Sequence, residues 1–176
     1  MAGAANDWPH RSREKSSEQV KVPEVHVDYI FPKDSVGGDY VVIFMARDRE
    51  TKMTVSHVVP VNGADHEWVT EQLGRDLLKL GHHGDLILKS GQEPAVVDLL
   101  REVARFRDTH RVVLEQSPVG DSQGNGIIER ANQSVEKMIR VHKLAFESPV
   151  GVKPPVKHAL LTWLVVYASE VLNRFA

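Results

Sequence analysis

Two hydrophobic periodicities follow one another along this chain, and their order limits the folds open to it. In Val25-His26-Val27-Asp28-Tyr29-Ile30-Phe31, the residues Val25, Val27, Tyr29 and Phe31 fall on one face of a strand, because successive side chains of an extended chain point to opposite sides. After a Gly37-Gly38 turn, two further β-rich runs, Tyr40 to Arg47 and Lys52 to Val59, are joined by the charged turn Asp48-Arg49-Glu50-Thr51. Connections this short suit an antiparallel meander, since a parallel pair needs a crossover of a dozen residues or more.

The period then changes. Asp65 is placed to cap a helix in which Val69, Leu73, Leu77 and Leu80 recur at helical spacing and which Gly81 can end. A short apolar strand, Leu86-Ile87-Leu88, follows. Pro94 suits the first turn of a second helix carrying Val97, Leu100, Val103 and Ala104, and Arg111 to Glu115 reads as a fifth strand. Strands linked through helices are normally parallel, so the second half extends the meander as β-α-β-α-β. The expected fold class is therefore α/β, a five-stranded mixed sheet flanked by helices. Next comes Ser117 to Gly126, with three glycines and no apolar period, which predicts a mobile surface loop. Behind it Ile128, Ala131, Val135, Met138 and either Val141 or His142 mark a long amphipathic helix, and Pro154-Pro155 opens a last helix ending near Arg174.

Composition narrows the functions. Residues 1–21 are polar and charged, with little to bury, and read as a flexible leader; residues 22–176 read as one domain. With 22 Lys and Arg against 24 Asp and Glu, no global positive field holds nucleic acid, so DNA binding needs a local patch or a bound metal. The absence of cysteine excludes disulfide scaffolds and thiolate zinc sites. No apolar stretch reaches the length of a bilayer span; the most hydrophobic, Ala159 to Ala168, is short and interrupted by Thr162, and the N-terminus has no apolar signal core. The nine histidines show no metal-ligand pattern and read as surface or satisfied core residues.

Two acids stand out. Asp28 lies mid-strand between apolar neighbours, where a carboxylate is costly without compensation. Taken alone, it reads as an edge-strand acid or one paired with a base. Glu129 opens the long helix behind the glycine-rich segment, with Asn132, Gln133, Glu136 and Arg140 as polar companions. Alone it reads as a first-turn acid favoured by the helix dipole.

Together these segments carry a resemblance. The stretch Val25-His26-Val27-Asp28-Tyr29, the stretch Leu88-Lys89-Ser90-Gly91-Gln92-Glu93-Pro94-Ala95, and the stretch from Ser117 through Asn125-Gly126-Ile127-Ile128-Glu129-Arg130-Ala131-Asn132 resemble the three signature segments of integrase catalytic cores from long-terminal-repeat retrotransposons and retroviruses. The order of elements and the tail, Trp163 with Leu172-Asn173-Arg174, are similar too.

The resemblance implies an RNase H-like domain in which two aspartates and a glutamate hold two divalent ions, Mg2+ or Mn2+. Such ions activate a water or a DNA 3′-hydroxyl and stabilise the leaving oxygen during phosphodiester cleavage and strand transfer. Asp28 matches the first aspartate and Glu129 the glutamate. At the second aspartate the sequence has Gly91, which offers no ligand, and loss of one member of a set that acts as a unit is expected to impair the chemistry. Glu93 and Asp85 are the nearby acids, but one must reach back from a helix start and the other sits at the wrong end of its strand, so neither is expected to compensate. By the same resemblance Asn125, Asn132, Gln133 and Arg140 are candidate DNA contacts. The implied partners are retroelement ends and target DNA, with a homodimer or larger assembly acting in the nucleus and no membrane association. Two alternatives remain: a catalytically inactive RNase H-like module that binds nucleic acid or dimerises, and a generic RNase H-like nuclease.

Overall fold

The computed structural model describes residues 21–32, 41–59, 66–118, 122–155 and 158–175. Five strands form one sheet: β1 Glu24–Ile30, β2 Val42–Asp48, β3 Thr54–Val59, β4 Leu86–Ser90 and β5 Val112–Gln116, in the order β3-β2-β1-β4-β5. β1 pairs antiparallel with β2, which pairs antiparallel with β3; β1 and β4, and β4 and β5, are parallel. The meander followed by helix-linked parallel strands is thus as its connections require. Four helices, α1 His66–Lys79, α2 Pro94–Phe106, α3 Ser122–Val150 and α4 Ala159–Asn173, complete the described elements.

Alternation in β1 divides the core between the two faces of the sheet. Val25, Val27 and Tyr29 pack with Val69, Leu73 and Leu77 of α1 and with Val96, Leu99, Leu100 and Val103 of α2. Ile30, with Ile43 and Met45 of β2, packs against Ile128, Ala131 and Val135 of α3 and Val165 and Ala168 of α4. Asp28 has the same parity as Ile30 and stands opposite Met45 in the ladder, so it faces the α3 layer from the central strand.

Several boundaries differ from expectation. Phe31 lies beyond the end of β1 and is partly exposed. The buried stripe of α2 is Val96, Leu99, Leu100 and Val103, rotated from the expected stripe, with Val97 and Ala104 only half-buried. α3 begins at Ser122, so Asn125 and Gly126 lie in its opening turns instead of in a loop. Residues 119–121 of the expected loop, like the leader 1–20, Gly37-Gly38 and Asp65, lie outside the described residues. α4 does not start at the proline pair: His158 caps it, its Nδ1 accepting the Leu160 N–H at 3.1 Å. Gly81 does end α1 as expected, with φ +90°, while its N–H and that of His82 donate to the carbonyls of Leu78 and Leu77.

The outer edge of β3 is closed by one side chain. Asn173, at the end of α4, accepts the Thr54 N–H at 2.8 Å and donates to the Thr54 carbonyl at 2.7 Å, copying what a sixth strand would offer. Ser56 Oγ donates to the Val165 carbonyl at 2.8 Å on the same side. Asn173→Ala leaves both polar groups of the buried Thr54 backbone without these partners and is expected to cost about 2 kcal/mol. Urea unfolding of the two proteins measures this; a midpoint unchanged with unchanged slope would mean that water serves the edge equally well.

Candidate functional site

The parallel register of β1 and β4 ends with Val27 opposite Ser90. Asp28 and Gly91 are the next residues along each chain, just past the last registered pair, with Gly91 beyond the end of β4. Above them runs the first part of α3, where Glu129 and Asn132 lie one turn apart on the same helix face. The contact that closes the site is Asn132 Nδ2 donating to Asp28 Oδ2 at 2.8 Å, across 104 residues of sequence. The other Asp28 oxygen, Oδ1, accepts the Tyr29 N–H at 2.9 Å.

Burial raises the pKa of Asp28; the Asn132 amide and the Tyr29 N–H pull it back, but the negative charges of Glu93 and Glu129 push it up again, and the net shift is upward. The two sequence-predicted acids are therefore electrostatic neighbours, with Glu93 as a third. Glu129 itself is exposed and Glu93 half-buried. Asp85, the other acid weighed from sequence, is at the opposite end of β4, where its Oδ1 accepts the Arg111 N–H at 3.1 Å.

The remaining candidates scatter along α3. Asn125 is half-buried and Gln133 exposed, while Arg140 is paired with Glu136 at 3.2 Å one turn earlier. Asn132 is buried at 8% exposure, and its Oδ1 is without a hydrogen-bond partner. The sequence marks Asn132 as a polar companion of Glu129 but gives no sign that it bolts α3 to the central strand. Nor does the sequence signal the buried acid–histidine pairs away from this site, His57 with Asp76 and His82 with Asp48.

Gly91 is half-buried, and a Cβ built on it meets nothing within 4 Å. Its φ is not in the left-handed region, so neither space nor backbone requires glycine there. The donors at the site are carboxylate and amide oxygens, the hard ligands that Mg2+ and Mn2+ take, and the orphaned Asn132 Oδ1 leaves one such oxygen to be satisfied. In donor type the site fits a divalent cation. Among the described residues, however, no three His, Asp or Glu side chains are already drawn together around an ion position.

The sequence matches no protein-family model and no curated protein. Its fold has clear counterparts among solved structures. A chain of the simian T-cell lymphotropic virus intasome in complex with PP2A regulatory subunit B56 gamma superposes with a TM-score of 0.64 at 11% identity, over 88% of this chain and 50% of that one. The HTLV-2 integrase catalytic core domain in complex with magnesium, in its trimeric form, gives 0.62 at 13% identity over 88% of both chains. The catalytic core domain of BIV integrase gives 0.55 at 12% identity, over 87% of this chain and 84% of that one. The chain thus spans about half of the intasome chain and most of each isolated core. The fold is that of a retroviral integrase catalytic core, an RNase H-like mixed sheet between helical layers.

Proposed function

We propose that residues 22–176 form an integrase-type catalytic core that works in DNA integration by divalent-metal-dependent phosphodiester cleavage and strand transfer, with its chemistry impaired by Gly91. The observation that carries this reading is the Asn132–Asp28 hydrogen bond, which ties the turn of α3 that carries Glu129 to β1 near the end of β4. Asp28 and Glu129 would hold Mg2+ or Mn2+, which on binding would polarise the phosphodiester and activate the attacking water or 3′-hydroxyl. Asn132 orients Asp28. Asn125, Gln133 and Arg140 extend from the site along α3, where DNA would lie.

The partners on this reading are retroelement ends and target DNA, and the site of action is the nucleus. The HTLV-2 core has been solved in dimeric and trimeric forms, which supports a homodimer or larger assembly here as well. No helix among the described residues is long and apolar enough to cross a membrane.

A second reading, an inactive RNase H-like module that binds nucleic acid or dimerises, is favoured by the lack of a side chain at Gly91. One assay separates the two. A labelled terminal-repeat oligonucleotide is incubated with target DNA and Mn2+. Joining by this chain that disappears in Asp28→Asn and Glu129→Gln supports the integrase reading. DNA binding with no joining at any enzyme concentration supports the module.

A further inference from the structure

The two outer strands of the sheet are finished differently. At β3 the Asn173 amide takes the place of a neighbouring strand. At the opposite edge β5 pairs with β4 alone among the described residues. The Leu86 N–H donates to the Arg111 carbonyl at 3.0 Å and the Ser117 N–H to the Ser90 carbonyl at 2.9 Å, so the odd-numbered residues from 111 to 117 turn their backbone groups toward β4. Alternation along the ladder turns those of Val112, Leu114 and Gln116 outward, where they meet no partner among the described residues. Leu114, Glu115 and Gln116 are also exposed. An edge of this kind is a template for another strand.

The sequence of this edge complements itself. Two copies of β5 laid antiparallel about a two-fold axis at Val113 set Val112 of each against Leu114 of the other, and Arg111 of each against Glu115 of the other. Val112 and Leu114 are outward-bonding residues, so each such pair exchanges its N–H···O bonds. Both lie on the α2 side of the sheet, where Val112 packs against the core, and their pairing extends that apolar surface. Arg111, Val113 and Glu115 share the other side, so Val113 meets its own copy between two ion pairs. Arg111 and Glu115 are exposed and have no ion-pair partner of their own among the described residues. An axis moved to Leu114 forfeits this match, since Val113 would then face Glu115 and Val112 would face Gln116.

We infer that the open edge of β5 is a homotypic interface, at which a second copy of this chain adds its own β5 antiparallel and joins the two sheets into one. The inference stands on β5 and not on the metal site. It shares with the integrase reading only the expectation of a homodimer, and gives that assembly a surface.

The chain has no cysteine, so one introduced thiol reports on the register. At a non-hydrogen-bonded antiparallel pair the Cα atoms stand about 4.5 Å apart, within disulfide reach. Val113→Cys therefore gives a disulfide-linked dimer under oxidised glutathione, and Leu114→Cys, whose partner is Val112, does not. Sedimentation of the natural chain over a range of concentrations shows a monomer–dimer equilibrium. Glu115→Arg, which replaces two attractive pairs with two repulsive ones, raises its dissociation constant by about tenfold or more, and Arg111→Glu does the same. Combining Arg111→Glu with Glu115→Arg restores it, which a misfolded single variant would not allow. Crosslinking of Leu114→Cys in preference to Val113→Cys overturns the register. A dimer that withstands both single charge changes overturns this surface and leaves the homodimer standing. A chain that sediments as a monomer at every concentration overturns both, while metal-dependent joining is untouched by any of these results.

Discussion

Gly91→Asp is expected to raise strand-transfer activity by on the order of 100-fold or more, about 3 kcal/mol of barrier. The direction follows from three features of position 91. Position 91 follows directly on the last registered β1–β4 pair, Val27 with Ser90, as Asp28 does on β1, so a carboxylate there would be placed to share an ion with Asp28. A Cβ at this position meets no atom within 4 Å, so the substitution brings no overpacking. Its φ lies outside the left-handed region, so the new side chain is not strained. The magnitude follows from the way metal ligands act as a set, in which restoring one member returns the function of all. Single-turnover joining at saturating Mn2+, compared between the two proteins at matched DNA occupancy, measures it. Equal rates would place the deficit elsewhere than at position 91. A gain that persists when Glu129 is changed to Gln would mean that the added carboxylate acts outside the proposed ligand set.

Adding a fourth carboxylate has a thermodynamic corollary. In the absence of metal, the carboxylate introduced by Gly91→Asp would add negative charge near Asp28, which already feels the charges of Glu93 and Glu129, and added like charge destabilises the fold. With metal they are neutralised. Thermal stabilisation by Mn2+ should therefore be larger for Gly91→Asp than for the natural chain, through tighter binding to the folded state.

How far the sequence foretells this site depends on the range of the interactions that build it. The face assignment of β1 is readable because alternation is local: Val25, Val27 and Tyr29 turn to α1 and α2, and Asp28 to the opposite layer, by the pleat alone. Ile128, Ala131 and Val135 are readable as the inner face of α3 for the equivalent reason. The start of that helix is not. Ser122 to Gly126 has the composition of a loop, and its helicity comes from continuation of α3, which low intrinsic propensity does not prevent. The α4 boundary misleads in the other direction, because proline permits a first helical turn without requiring one and the cap falls to His158.

Asp28 and Glu129 are visible as acids in unusual places, yet that they should act together is implied by family resemblance and not by periodicity. The Asn132–Asp28 bond joins residues 104 apart, and no local pattern encodes it. Three-dimensional closure of this kind is a property of packing, and a single sequence carries it only through the elements that pack.

The same limit hides a buried charge cluster between α1 and the edge strand β3. Asp76 is 2% exposed, and its Oδ2 sits 2.6 Å from His57 Nε2, while its Oδ1 accepts from Gln72 at 3.1 Å and from Lys79 at 3.3 Å. Burial alone would raise its pKa, but the His57 hydrogen bond and charge, with Gln72 and Lys79, outweigh burial and set it below the usual 3.8. A carboxyl whose pKa is lower folded than unfolded binds its proton more tightly in the unfolded chain. Its stabilisation is complete above the unfolded value near 4 and is lost as pH falls through the folded one. Asp76→Ala removes three hydrogen bonds to a charged acceptor and is expected to cost about 2–3 kcal/mol at pH 7, or roughly 5–10 °C in melting temperature for a domain of this size. Melting both proteins across the range from pH 7 down to pH 3 supplies the check. The gap should narrow below about pH 4, because the natural chain loses there what the variant never had; a gap of constant size would show that packing of the side chain, and not its charge, holds α1 to β3.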